Sequence, residues 1–226
     1  MCKLLELHLS VQMNPGTWGV LIADVMGSSG RPNFRALLSG KLRIATIAHL
    51  EEKRIRLPYA VTAGDEFQTV AINLAEIPGL MFDLRRRLRP LQLRIGVGIG
   101  EVLGPVRPPV NQLGGQAFQL ARKAIEDIKH HSAHKFEVLT AFRSTDESFD
   151  VVANLVYGLH DTLVQGISEK QWETISAYFA KNRVDLTARA LRISVSTASR
   201  NLKRGYLWQI VETIESMRNV IQHRFS

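Results

Sequence analysis

The chain of 226 residues is 45% hydrophobic and 22% charged, which is enough apolar material for the core of one large domain or of two small ones. It carries 29 Lys and Arg against 21 Asp and Glu, and the resulting net charge of +8 suits an anionic partner. No run approaches the roughly 18 apolar residues that a membrane span needs, and a single cysteine, Cys2, excludes an internal disulfide. We therefore expect a globular cytoplasmic protein without membrane association.

The first two thirds of the chain alternate between strand and helix patterns. Residues 1–14 alternate weakly and indicate an edge strand or an upstream extension. The later patterns predict a buried strand over 19–23, a helix over 33–52 capped by Asn33, hairpin strands over 59–62 and 67–71, a helix over 77–88, a glycine-rich strand over 93–100 and a helix that begins at 115. This order is typical of an α+β domain with a ferredoxin-like antiparallel sheet, which we assign to residues 15–147.

Beyond residue 147 the sequence has only helical patterns. They predict helices over 148–165, 168–182, 185–192, 195–204 and 206–223. We therefore expect a separate all-α domain over residues 148–226, with the first helix as its connection to the sheet domain.

The segment 167–206 has the pattern of a helix-turn-helix. Small residues at Ala188 and Ala198 permit two short helices to cross closely, and the side chains of Asp185 and Ser194 are suited to cap the two helix starts. Arg192 stands at the tight turn, where such motifs usually have glycine. The alternative is a helical hairpin that only packs on the first domain or forms a dimer.

The second of these helices is expected to bind double-stranded DNA. Between residues 181 and 204 there are seven basic residues and one acidic residue, a net charge of +6. Hydroxyl and amide groups read base edges, arginine bridges guanine, and lysine contacts phosphates. The residues predicted to contact DNA are Ser196, Thr197, Arg200, Asn201, Lys203 and Arg204.

Two carboxylates in the first domain are candidates for a metal site. Asp24 follows the first strand and Asp65 lies in the hairpin turn, so the two are neighbours if those strands are adjacent. Paired carboxylates beside glycine and serine backbone suit Mg²⁺, or Mn²⁺, that carries the phosphates of a nucleotide. Backbone N–H groups at Gly27, Ser28 and Gly64 are the expected phosphate donors. The alternative is that both acids are solvated loop residues.

Three segments resemble nucleotide-cyclizing enzymes. Residues 63–67 (Ala-Gly-Asp-Glu-Phe) resemble the signature turn of GGDEF diguanylate cyclases, and residues 22–27 (Ile-Ala-Asp-Val-Met-Gly) resemble the first metal motif of class III nucleotide cyclases. Residues 94–100 are similar to the strand that follows in both families. The resemblance implies that Asp24 and Asp65 hold the metal, assisted by the Val25 carbonyl.

The same resemblance has two departures. Where class III enzymes carry Asn and Arg on the next helix, this chain has Gln119 and either Arg122 or Lys123, so Gln119 and Arg122 are the implied nucleotide contacts. Ala63 replaces the first glycine of the diguanylate motif. A degenerate, ligand-sensing domain and an active enzyme therefore both stay open.

Over about residues 17–206 the chain resembles the SatD family of bacterial proteins. The resemblance lies in the Ile-Ala-Asp-Val-Met-Gly-Ser start, the Ala-Gly-Asp-Glu-Phe-Gln turn, Gly-x-x-Phe-x-x-Ala-Arg at 115–122 and Ser-Glu-Lys-Gln-Trp at 168–172. We expect a DNA-binding regulator, a possible homodimer, whose cyclase-like domain binds a nucleotide with Mg²⁺. The alternatives are a nucleotidyl cyclase-type phosphoryl-transfer enzyme with a helical oligomerisation tail and an interaction module without either activity.

Overall fold

The first part of the chain forms a five-stranded sheet with three helices. In the computed structural model, which describes residues 16–28, 30, 32–131 and 138–225, its elements are β1 (Thr17–Val25), α1 (Phe34–Glu51), β2 (Ala60–Ala63), β3 (Glu66–Val70), α2 (Ile77–Leu88), β4 (Leu93–Glu101), α3 (Gln116–His131) and β5 (Thr140–Arg143). The strand order is β2-β3-β1-β4-β5. The predicted edge strand or extension over 1–14 lies outside the described residues.

The register of the sheet confirms the α+β class and corrects one detail. β1 is central and antiparallel to both β3 and β4, with Ala23 opposite Phe67 and Ile95. β5 pairs with β4 in parallel, so the expectation of a wholly antiparallel sheet was wrong, and β5 itself was not predicted. Asn33 occupies the N-cap position of α1 as predicted, but its side chain makes no cap hydrogen bond.

Helices cover both faces of the sheet. One apolar cluster joins α1 and α2 to the face that includes Leu21 and Ala23, and a second joins α3 to the face that includes Val20 and Ile22. The glycine face predicted for β4 is the face on which α3 lies. A Cβ on Gly98 would lie 2.0 Å from the Ala117 carbonyl oxygen, so this contact between helix and strand backbones requires glycine.

Five helices complete the chain. They are α4 (Glu147–Gln165), α5 (Glu169–Lys181), α6 (Val184–Leu191), α7 (Val195–Arg204) and α8 (Leu207–Phe225). The first half of α8 packs with α5 and α7 in a third apolar cluster, whereas Met217 and Ile221 in its second half belong to the sheet's own core. Tyr157 of α4 also belongs to that core, so the apolar core of the sheet includes residues on both sides of residue 147.

None of the helices in the described ranges combines the length and apolar character that crossing a bilayer requires.

Candidate functional site

Six residues predicted to bind metal or nucleotide lie at one edge of the sheet. They stand at the end of β1, in the loop that follows it and in the turn between β2 and β3: Asp24, Val25, Gly27, Ser28, Gly64 and Asp65. Two observations place the segments together. The pairing of Ala23 with Phe67 brings the end of β1 beside the start of β3, and the Ser28 hydroxyl donates a hydrogen bond to the Asp65 carboxylate.

Continuing that register places Asp24 opposite Glu66, which sequence reasoning did not assign to the site. Alternation along β1 puts Asp24 on the same face as Val20 and Ile22, the face that α3 covers. Both acids are buried, with 5% of Asp24 and 7% of Glu66 exposed. Two signals in the sequence pointed to Glu66: its place in the Ala-Gly-Asp-Glu-Phe motif and alternation within the short strand β3. We call Asp24, Asp65 and Glu66 the carboxylate edge.

Cations from α3 and β4 lie beside Asp24. Lys129 Nζ is 2.9 Å from Asp24 Oδ2, and Arg94 Nε is 3.6 Å from Asp24 Oδ1. The first distance is a direct ion pair, whereas the second exceeds hydrogen-bond length. Asp24 Oδ1 is therefore a buried carboxylate oxygen without a hydrogen-bond partner.

A second cation from α3 binds Glu66. Arg122 donates to both Glu66 oxygens, at 2.6 Å from Nη2 to Oε1 and through a shorter contact from Nη1, and Thr62 Oγ1 donates to Oε1 at 2.7 Å. Burial by itself would raise the pKa of Glu66, but the hydrogen bonds from Arg122 and Thr62 hold that pKa below its ordinary value. Gln119, one turn earlier on α3, is exposed to solvent.

The carboxylate edge can supply part of a metal coordination shell. Across the part of the chain that the structure describes, no group of three His, Cys, Asp or Glu side chains is positioned to hold one ion. A hard cation would therefore take at most two carboxylates here, and backbone carbonyls, phosphates or water would supply the rest, as Mg²⁺ commonly accepts. Asp24 Oδ1, which has no hydrogen-bond partner, is the oxygen that such an ion would take, although the Arg94 guanidinium lies 3.6 Å from it and Lys129 pairs with the other oxygen.

The second candidate site is the pair of short helices α6 and α7. α6 ends at Leu191, its C-cap residue Arg192 has the left-handed φ of 55°, and the Ile193 N–H donates to the Ala188 carbonyl at 3.0 Å. Ser194 then caps α7 as predicted, because its side chain accepts from the Thr197 N–H at 3.1 Å. The cap predicted at Asp185 was wrong: α6 begins one residue earlier, and the Asp185 carboxylate pairs with Arg183 at 2.8 Å instead.

The inner face of α7 is apolar. Ala198 and Leu202 are buried, and Leu202 packs with Trp172 of α5 and Ile210 of α8. Ala188 of α6 is buried as well, which agrees with the close crossing predicted from the two alanines. This packing fixes which side of α7 faces solvent.

The opposite side of α7 is polar and basic. Its exposed residues are Val195 at the first position of the helix and five polar or basic residues, which we call the outer face of α7: Ser196, Ser199, Arg200, Lys203 and Arg204. Ser199 was not among the predicted contacts, although helical periodicity from Ser196 and Lys203 could have identified it.

Two predicted DNA contacts lie only partly in solvent. Asn201 Nδ2 donates to the Thr174 hydroxyl of α5 at 3.1 Å, and the Thr197 hydroxyl is 2.8 Å from that of Ser194. Both side chains therefore take part in packing and capping contacts, and neither belongs to the outer face of α7.

Comparison with known proteins identifies the family. Among solved structures, a bacterial light-regulated adenylyl cyclase is similar with 14% identity and a TM-score of 0.38 over 56% of this chain and 75% of that one. The regulator of polyketide synthase expression from Bifidobacterium adolescentis has 12% identity and a TM-score of 0.30 over 92% of this chain and 86% of the other. No curated protein matches. The sequence profile of the SatD family matches residues 20–205, and the chain belongs to the SatD family.

Proposed function

We propose that this protein is a DNA-binding regulator that contacts double-stranded DNA through the outer face of α7. The observation that carries the proposal is the arrangement of α7: its buried side chains pack toward α5 and α8, and five of its six exposed side chains are hydroxylic or basic. α7 contains no acidic residue, so no charge on that helix opposes an approaching phosphate. With α6 and its tight turn before it, α7 has the place of the recognition helix in a helix-turn-helix.

The residues of the outer face suit two kinds of contact. Ser196 and Ser199 lie in the first half of α7, which enters the major groove in helix-turn-helix proteins, and Arg200 follows on the same face. Lys203 and Arg204 at the end of α7 suit the sugar-phosphate backbone. We therefore assign base reading to the first three residues and phosphate binding to the last two.

The test is binding of the full chain to duplex DNA selected from a random pool, measured by fluorescence anisotropy at several salt concentrations. Arg200→Ala should lower the preference for the selected sequence over a scrambled one by about 1–3 kcal/mol, because one base contact is lost. Lys203→Ala should weaken binding to both duplexes equally, and it should reduce the slope of the logarithm of the binding constant against the logarithm of the salt concentration by about one. Arg43→Ala, which removes an exposed arginine on α1, is the matched control.

Two outcomes would contradict the proposal. If no duplex is retained at low salt, the protein does not bind DNA, and α6 and α7 form only a packing hairpin. If Arg200→Ala and Arg43→Ala weaken binding equally, DNA binds through the overall positive charge of the protein surface, and α7 is not the recognition helix.

A second function is supported by the carboxylate edge: binding of a nucleotide whose phosphates are carried by Mg²⁺ or Mn²⁺. The supporting observation is the buried Asp24 Oδ1, which has no hydrogen-bond partner and only Arg94 at 3.6 Å. It lies beside a loop and a turn whose Gly27 and Gly64 have the positive φ values of 60° and 59°. Asp65 and the Val25 carbonyl would complete the protein ligands. Gln119 and Arg122 on α3 would face the nucleotide, although Arg122 must then share its guanidinium with Glu66.

This site is tested by calorimetric titration of ATP and GTP with Mg²⁺ or Mn²⁺. Asp24→Asn and Asp65→Asn should each abolish metal-dependent binding, whereas Glu101→Gln, an exposed carboxylate at the end of β4, should not. Equal binding by the parent and both variants would exclude a metal site there. Release of pyrophosphate from either nucleotide would instead favour the phosphoryl-transfer enzyme.

The homodimer stays a prediction. Helix-turn-helix proteins that bind as dimers read two half-sites about one turn of DNA apart. Sedimentation equilibrium of the full chain, with and without the selected duplex, will give the stoichiometry. A single chain on a single half-site would contradict the prediction.

A further inference from the structure

A cavity lies where the sheet meets the helices that carry α6 and α7. It has a volume of about 60 Å³ and is lined by the end of α2, the start of β4, the end of α4 and the first turn of α5. One water needs roughly 10–15 Å³ by this kind of measure, so the cavity has room for a few waters or for one small anion. It is distinct from the carboxylate edge, since none of Asp24, Asp65 and Glu66 lines it.

On the lining residues, the buried side-chain atoms without a hydrogen-bond partner are all donors. Arg85, Arg89 and Trp172 are lining residues. Buried N–H groups without a hydrogen-bond partner are present on Arg85 at Nε and Nη1, on Arg89 at Nε and on Trp172 at Nε1. Arginine and the indole of tryptophan have no acceptor, so a ligand for these groups must supply lone pairs.

Two of these side chains are more than nine-tenths buried, with 4% of Arg85 and 3% of Trp172 exposed. Arg85 Nη2 donates to the Leu139 carbonyl at 2.8 Å and to Thr140 Oγ1 at 2.9 Å, which fixes the guanidinium. Asp161 lies 3.7 Å from Arg85 Nη1 and balances part of its charge from outside the lining. The Arg85 guanidinium is therefore already positioned by its bonds to Leu139 and Thr140, and a ligand would bind only its remaining N–H groups.

Arg89 supplies the second positive charge. Its guanidinium lies over the Trp172 ring at 5.5 Å, and its carboxylate partner, Glu169, is largely exposed. Burial lowers the pKa of Arg89, so an anion beside it would offset the loss of hydration. The ten lining residues include two arginines and no aspartate or glutamate, and the carboxylates that pair with these arginines, Asp161 and Glu169, lie outside the lining.

We propose that this cavity binds a small oxyanion, a carboxylate or a phosphate group, through Arg85, Arg89 and the indole N–H of Trp172. The oxygen atoms of such a group accept hydrogen bonds from several donors at once, which matches the adjacent N–H groups of a guanidinium. Buried donors in native proteins are almost always paired, so the orphaned set itself points to a ligand. Anion binding in this cavity requires neither DNA binding nor nucleotide binding.

The chain has three tryptophans, which makes the indole N–H signals in a ¹H–¹⁵N spectrum a direct test. They belong to Trp18, Trp172 and Trp208, and each is assigned by its own Trp→Phe variant. Titration with inorganic phosphate and, separately, with acetate is compared with chloride at matched ionic strength. One of the two anions should shift the Trp172 signal saturably, while the Trp18 and Trp208 signals stay in place and report that the fold is intact.

Arg89→Met should weaken the saturable shift at least about tenfold, because one charged donor is lost. The exposed Arg56→Met is the matched control and should leave the affinity unchanged. A response to phosphate alone identifies a phosphate group, and a response to acetate alone identifies a carboxylate. The proposal is overturned if neither anion shifts the Trp172 signal, if all three signals move together, or if Arg89→Met binds as the parent does; water then satisfies the donors.

Discussion

Gly98 offers the sharpest test of how α3 is held against the sheet. An added Cβ would lie 2.0 Å from the Ala117 carbonyl oxygen and 2.3 Å from the Ala121 nitrogen, both backbone atoms of α3. Ordinary contact begins near 3.4 Å, so in Gly98→Ala the helix must withdraw by about 1.4 Å, the difference between 3.4 and 2.0 Å. A gap of that size forfeits much of the dispersion energy along the buried face of α3.

We therefore expect Gly98→Ala to lower the free energy of unfolding by about 3 kcal/mol or more, above the usual range for one added methyl group. Urea denaturation, monitored by circular dichroism, measures this change from the shift of the midpoint when the slope of the free energy against urea concentration is unchanged. The matched control is Gly40→Ala in α1, where no atom lies within 4 Å of the added Cβ and a gain of about 0.5–1 kcal/mol is expected. A cost below about 1 kcal/mol for Gly98→Ala would refute the close packing of α3 on β4.

Three further predictions concern the turn, the cap and the carboxylate edge. Arg192→Gly should raise the free energy of unfolding in urea by about 0.5–1 kcal/mol, because the left-handed φ of 55° is costly for a residue with a Cβ; a loss would contradict that turn. Ser194→Ala should lower the same free energy by about 1 kcal/mol, whereas the exposed Ser199→Ala should change it by less than about 0.5 kcal/mol; equal effects would contradict the cap. The folded pKa of Glu66 lies below its ordinary value of 4.5, so its ionisation stabilises the fold above pH 4.5. The stability difference between the parent and Glu66→Gln should therefore shrink as the pH falls below that value, and a difference independent of pH would contradict the Arg122 ion pair.

Local patterns predicted most of the elements. α7 was predicted at the bounds at which it is found, because Ser194 is a strong cap and Ala198 and Leu202 are spaced for one buried face. The glycines of β4 likewise indicated a close approach before its partner, α3, was known. β5 was missed because its four residues are too few for a recognisable period, and its pairing with β4 depends on contacts distant in sequence.

The candidate sites depended more on tertiary structure. Sequence reasoning paired Asp24 with Asp65 through adjacent strands, but it could not foresee that α3 brings Lys129 to Asp24 and Arg122 to Glu66. Nor could the pattern of α7 alone show that Asn201 would bond to Thr174 of α5. In each case the partner lies on an element whose position is set by packing and not by the local sequence.

The helix α8 belongs to two apolar cores, and this sharing has a mechanical consequence. Its 19 residues span about 28 Å at the usual rise of an α-helix. One continuous helix therefore joins the sheet to the helices around α7. A tilt of about 10° about one end of this helix moves its other end by roughly 5 Å. A displacement of the end of α8 that packs on the sheet would therefore also move the end that packs on α7, because the helix is continuous. A flexible linker between two separate domains would not transmit such a movement.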